Sequence, residues 1–234
     1  MRYRYVKKNP KLFPLRRSKI KFPRYFSFAF IGVGIFLLAG ALLPIIYYQL
    51  LESPKFYALI NPSPSSFVLG EEIPAQDYTK VSDWFPNAPR LSPLPSKITD
   101  YTLSIPKLGI KNAKVKIGGE DLKKSLVQYS GTALPGQFGN TVIFGHSVLP
   151  QFYNPKNYIT IFSTLPTLKV GNEIFVDFDG ILYKYQVEQM YEINPSDISL
   201  LEQRYDGSYL SLITCVPPGT KLRRLVVLAR LEKI

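Results

Sequence analysis

The 234-residue chain carries 29 Lys and Arg against 17 Asp and Glu, a formal net charge of +12, with one histidine and one cysteine. Ten of the basic residues fall within the first 24 positions, which hold no acid, so the remainder is nearly balanced at 19 against 17 and offers no basic surface for nucleic acid. A single cysteine excludes an internal disulfide, and the stability of the chain must come from an ordinary core.

After the basic tail, 1–24, comes a run of 24 uncharged, mostly apolar residues, Tyr25 to Tyr48. As a helix it is long enough to cross a hydrocarbon core of ~30 Å. Ala39-Gly40-Ala41 superficially resembles a processing site, but the apolar stretch continues past it to Tyr48, so an uncleaved signal anchor is expected at 25–48. Positive charge before the span predicts a cytoplasmic N-terminus and places everything after about Gln49 outside the cell membrane.

Residues 49–98 read as a Pro-rich extracellular stalk. Eight prolines lie between Glu52 and Lys97, and such a segment sustains neither long helices nor central strands. Within it, Ser82-Asp83-Trp84-Phe85-Pro86 sets the sole tryptophan beside an acid, and the plain reading is an aromatic patch that packs on a domain surface.

From Thr99 the pattern changes. Tyr101–Ile105, Lys114–Ile117, Asn140–Phe144, Glu173–Phe178, Ile181–Met190, Tyr209–Thr214 and Arg224–Leu231 are rich in β-branched and aromatic residues and predict strands. Asp179-Gly180 between two of them predicts a type I′ hairpin. A short helix is expected within Gly118–Gln128, and another opening at Asn194-Pro195 and running toward Gln203. The expected fold is mainly β: a closed or nearly closed barrel of about eight strands with short helices over 99–234, preceded by one transmembrane helix.

Neither a metal-ligand cluster nor a Gly-rich phosphate loop is evident, and no cofactor is expected. Asp177, Asp179 and Glu188 read as solvated strand-edge charges and leave calcium dependence open. His146, in Phe144-Gly145-His146-Ser147, and Cys215, in Leu212-Ile213-Thr214-Cys215-Val216-Pro217, each close an apolar strand-like run. Singly, each is more often structural; together they are the one thiol–imidazole pair this chain can form.

Leu103-Ser104-Ile105-Pro106-Lys107-Leu108-Gly109-Ile110, Gly139 through His146, and Ser211-Leu212-Ile213-Thr214-Cys215 together resemble the sortases, membrane-anchored cysteine transpeptidases of bacterial surfaces. The family usually has threonine where Ser211 stands. The resemblance implies a nucleophilic Cys215, an acid/base His146 and an arginine in the last strand. Family spacing and strand alternation favour Arg224 over its neighbour Arg223 for that role. It also implies the partners: a sorting signal of the Leu-Pro-x-Thr-Gly type, and an amine from a cell-wall precursor or another surface protein. Some pilus-assembling members carry a lid in which an acid and an aromatic residue cover the cysteine, which gives Asp83 and Trp84 a second reading beside the plain stalk. In that reading the acid pairs with Arg224 and the indole shields the thiol. A hydrolytic cysteine peptidase and a non-catalytic anchored β-barrel that binds or assembles partners are the alternatives.

Overall fold

The structure, a computed structural model, describes residues 24–53, 79–85 and 97–232. The basic tail before Arg24 and most of the Pro-rich stretch therefore lie outside the described residues. Two compact units divide between Ala39 and Gly40. The first contains the N-terminal part of helix α1 (Arg24–Tyr47), whose apolar side chains, Phe28, Phe30, Ile35 and Phe36 among them, are exposed. A helix apolar on every face has no soluble core to fill. Phe28–Leu51, with a mean hydropathy of 2.5, is long and apolar enough to cross a membrane.

The second unit holds eight strands: β1 (Asp100–Ile105), β2 (Ile110–Ile117), β3 (Leu126–Gln128), β4 (Gly139–Phe144), β5 (Glu173–Phe178), β6 (Ile181–Ile193), β7 (Ser208–Val216) and β8 (Arg223–Leu231). They close into a barrel in the order β1-β2-β3-β4-β7-β8-β6-β5, with β5 returning to β1 through Thr102–Ser104. Closure leaves no long unpaired edge. Local chemistry accounts for the tight connections. Asp179 and Gly180 both take positive φ, 55° and 74°, as a type I′ turn requires, and they join β5 to β6.

Two expectations are corrected. No helix forms in Gly118–Gln128: turns there lead into β3, which pairs in parallel with β2 and antiparallel with β4. Leu126, Val127 and Gln128 are all buried, and filling the gap between β2 and β4 outweighs local propensity. The helix opening at Asn194 is also absent. Asp197 N–H donates to Asn194 O, the Asp197 carboxylate accepts from Ser199 N–H, and only Ser199–Leu201 is helical, as a single 3₁₀ turn. Gln203 instead spends its amide on the loop and on β4, donating to Leu201 O and Asn140 O and accepting from Asn140 N–H.

Strand alternation divides the apolar residues into two layers. Leu103, Ile110, Leu126, Ile143, Leu210, Leu212, Leu225 and Val227 belong to the main core. Val127, Val142, Phe144, Ile213, Cys215 and Val226 face the other way, into a second cluster completed by Val81, Trp84, Phe85, Leu122, Leu200 and Leu201. From Tyr209 on, β7 is buried along its whole length because it is covered on both faces.

After α1 in the chain, Tyr48 is buried and its hydroxyl donates to the Glu192 carboxylate at 2.7 Å, while Ser53 Oγ donates to the same carboxylate at 3.4 Å. Glu192 is 1 % exposed, and burial raises its pKa above the ordinary carboxyl value; the two hydroxyls and the Arg223 cation pull it back.

Candidate active site

The strand that leads into His146 and the strand that carries Cys215 run side by side. β4 and β7 pair in parallel from Gly139↔Ser208 to Phe144↔Ile213, so both chains leave the sheet at the same end. Gly145 continues the contact by donating its N–H to Ile213 O at 3.0 Å. Only glycine fits there, since a Cβ at this position would lie 2.4 Å from the Phe162 ring and 2.7 Å from Leu126. His146 follows at once, and its carbonyl accepts from Phe162 N–H at 3.0 Å.

Across the β7–β8 pair, Cys215 stands directly opposite Arg224, and Val216 opposite Arg223. Residues directly opposite in an antiparallel pair share a face, so Arg224 lies with Cys215 in the second layer, while Val216 belongs to the main core. Arg224 is completely buried. Its guanidinium donates to Lys221 O at 3.2 Å, to Arg223 O at 3.3 Å and to Trp84 O at 3.3 Å. Main-chain oxygens thus hold the fork in place.

The segment around Trp84 reaches this place through residues distant in sequence. Lys80 bridges to Asp121, Val81 N–H donates to Glu120 O, Leu122 N–H to Thr79 O, and Ser82 N–H to the Glu120 carboxylate. Thus anchored, the chain makes a 3₁₀ turn at Val81–Asp83 and buries Trp84 entirely. The indole meets Phe144 edge-on with centroids 5.6 Å apart and lies 5.8 Å from the His146 ring. The Arg224 guanidinium carbon stands 5.2 Å from the Trp84 ring centroid and 5.9 Å from that of Phe85. From this segment Trp84 meets Arg224 by carbonyl and ring and Phe85 by its ring, while Asp83 lies half-buried in the turn before them.

Cys215 is a free thiol, 5 % exposed. Burial pushes its pKa up, and the cations of Arg224 and Lys221 draw it back part of the way. Among the described residues, no three His, Cys, Asp or Glu side chains group to hold a metal ion.

The structure gathers His146, Cys215, Arg224 and Trp84 into one cluster, with Asp83 at its margin. Sequence reading did not find Phe85, Leu200, Leu201 or Lys221. The adjacency of Phe85 to Trp84 was a signal; the leucine pair, in a loop with no periodicity, left none.

A sortase-domain family model matches residues 103–232, more than half of the chain. Sortase A of Streptococcus agalactiae serotype III (strain NEM316) is 23% identical over 137 residues, 58% of this chain and 51% of that protein, so the chain spans about half the length of this curated relative. Among solved structures, the barrel is similar to the lid mutant of Sortase A from Corynebacterium diphtheriae (TM-score 0.51, 27% identity, 60% of this chain and 73% of that one). It is also similar to the pilus-related Sortase C of Group B Streptococcus (TM-score 0.51, 28% identity, 60% and 70%). The matched region runs from β1 through the end of β8 and takes in both strands that carry the thiol–imidazole pair, so the chain belongs to the sortase family.

Proposed function

We propose that the protein is a membrane-anchored sortase-type transpeptidase, with Cys215 as nucleophile, His146 as acid/base and Arg224 as the group that binds the reacting carbonyl. The observation that carries this reading is the register that sets Cys215 opposite a completely buried Arg224, at the strand end next to His146. The Cys215 thiolate attacks the carbonyl carbon of the scissile bond in a Leu-Pro-x-Thr-Gly-like sorting signal. The C–N bond breaks, and the departing amine takes its proton from the His146 imidazolium. An incoming amine, from a cell-wall precursor or another surface protein, then attacks the thioester and gives its proton to His146 as the thiolate leaves. Two N–H donors from Arg224 fit the oxygen on which negative charge grows. No cofactor enters these steps.

Asp83 and Trp84 belong in this reading to a lid. Its support is the complete burial of the indole against His146, Phe144 and Arg224, in the same apolar cluster as Cys215. Substrate must displace it, because the Trp84 carbonyl occupies a guanidinium donor that the substrate needs.

Mass spectrometry of the purified full chain, incubated with a library of candidate sorting peptides with and without an added amine, tests the reading. A thioacyl adduct on Cys215 that passes to the amine supports transpeptidation. Hydrolysis unaffected by amines points to a peptidase, and the lack of any adduct in a Trp84→Ala variant points to a non-catalytic module.

A further inference from the structure

We infer that Ser147 is a positioning residue that holds His146 against the cysteine strand. The inference rests on the proposed roles of Cys215 and His146. The parallel ladder between β4 and β7 stops at Phe144↔Ile213, two residues short of His146 on one strand and of Cys215 on the other. Beyond it the chains are joined by three bonds. Gly145 N–H donates to Ile213 O at 3.0 Å, Thr214 Oγ1 donates to Gly145 O at 2.9 Å, and Ser147 Oγ donates to Cys215 O at 2.6 Å. The last two are reciprocal: the residue before Cys215 grips the residue before His146, and the residue after His146 grips Cys215 itself.

His146 is thereby fixed on both sides to the strand that carries the thiol. On its N-terminal side the tie is built from main chain and from a threonine inside the cysteine motif. On its C-terminal side Ser147 stands between the histidine and a stretch without regular structure that runs to Pro150. Val148 N–H does donate to Ser163 Oγ at 2.9 Å, but that bond ties the loop to the Phe162 region and not to β7. Ser147 is thus the one side chain after His146 that ties this loop directly to Cys215 among the hydrogen bonds described. A hydroxyl on a short side chain is what the place requires, since it reaches a main-chain oxygen where the ladder has ended.

Loss of this tie leaves substrate-binding surfaces in place and loosens only the relative placement of imidazole and sulfur. Displacements of about 1 Å between reacting groups cost on the order of 10²-fold in rate. For Ser147→Ala the expected result with a processed sorting peptide is a kcat about ten- to a hundred-fold lower with KM within about two-fold, and Ser147→Thr, which keeps the hydroxyl, stays within about three-fold of the parent. Alkylation of Cys215 by iodoacetamide, followed against pH on the full chain in detergent, reads the same relation without substrate. Ser147→Ala is expected to react about ten-fold more slowly near neutral pH, with the midpoint of its profile shifted upward, and Ser147→Thr to follow the parent. All measurements are made well below each variant's melting temperature, so that unfolding does not enter. A Ser147→Ala variant that keeps the parent's alkylation profile, or a loss that Ser147→Thr does not restore, overturns the inference. If the parent itself forms no thioacyl adduct, the proposed function fails, while the alkylation profiles still decide the role of Ser147.

Discussion

Cys215 and Arg224 face each other directly across the β7–β8 pair, one 5 % exposed and the other fully buried. The cost of burying a guanidinium beside a buried thiol is reduced by the Lys221, Arg223 and Trp84 carbonyls, which accept from its Nη1 and Nη2.

Replacing Arg224 by lysine removes the planar fork while keeping the charge. An ammonium does not reach three divergent carbonyls, nor present two parallel donors to an oxyanion. Arg224→Lys is expected to lower kcat/KM at least about a hundred-fold. Arg223→Ala, at a position opposite Val216, is expected to remain within about three-fold. Steady-state transfer assays on both variants check the register; the reverse ranking would contradict it.

The proposed lid role of the Trp84 segment predicts a gated thiol. Trp84→Ala removes the ring packed on Phe144, His146 and Arg224, and Asp83→Ala with it loosens the preceding turn. Labelling of Cys215 by a small neutral thiol reagent is expected to speed up by about ten-fold or more in the double variant, since opening no longer limits access. Equal rates in parent and variant would place the segment as a fixed surface strap.

No second thiol or imidazole exists in the chain to substitute for the pair. Cys215→Ala is expected to abolish transfer and His146→Ala to lower it by several orders of magnitude. Circular dichroism should show both folded, because the barrel is held by its two apolar layers.

Glu192 predicts a pH dependence of stability. Its pKa is raised by burial above the ordinary value of 4.5, so between that value and the folded one the unfolded chain has lost a proton that the folded chain keeps. This increment of stability is therefore complete below about 4.5 and is lost as pH rises through the folded value. Glu192→Gln retains an oxygen for the Tyr48 hydroxyl and does not titrate. Its melting temperature relative to the parent is expected to increase from about pH 4.5 to pH 7.5, as read by thermal unfolding in detergent.

Topology is open to a direct measurement. With ten basic residues before an apolar stretch long enough to cross a membrane, the barrel is expected outside. Protease added to intact spheroplasts should release it as a soluble fragment, and full protection would reverse the orientation.

The strands of this barrel were legible in the sequence wherever local chemistry and tertiary demand agreed. β5 appears with its observed bounds, and the Asp179-Gly180 turn was readable because positive φ at two successive residues has few sequence solutions. His146 and Cys215 were legible as the only residues of their kind, each closing an apolar run. The three-residue β3 was not, since a buried run so short has no period, and its state is set by the strands on either side. Arg224 and Arg223 are adjacent and alike in sequence; the pairing of β7 with β8 separates them, because a step of one residue turns a side chain to the opposite face. Trp84 was visible as a lone indole in a Pro-rich stretch, but its place against Arg224, 140 positions away, depends on the bridge between Lys80 and Asp121 and on the second apolar layer, and both exist only once the barrel has closed.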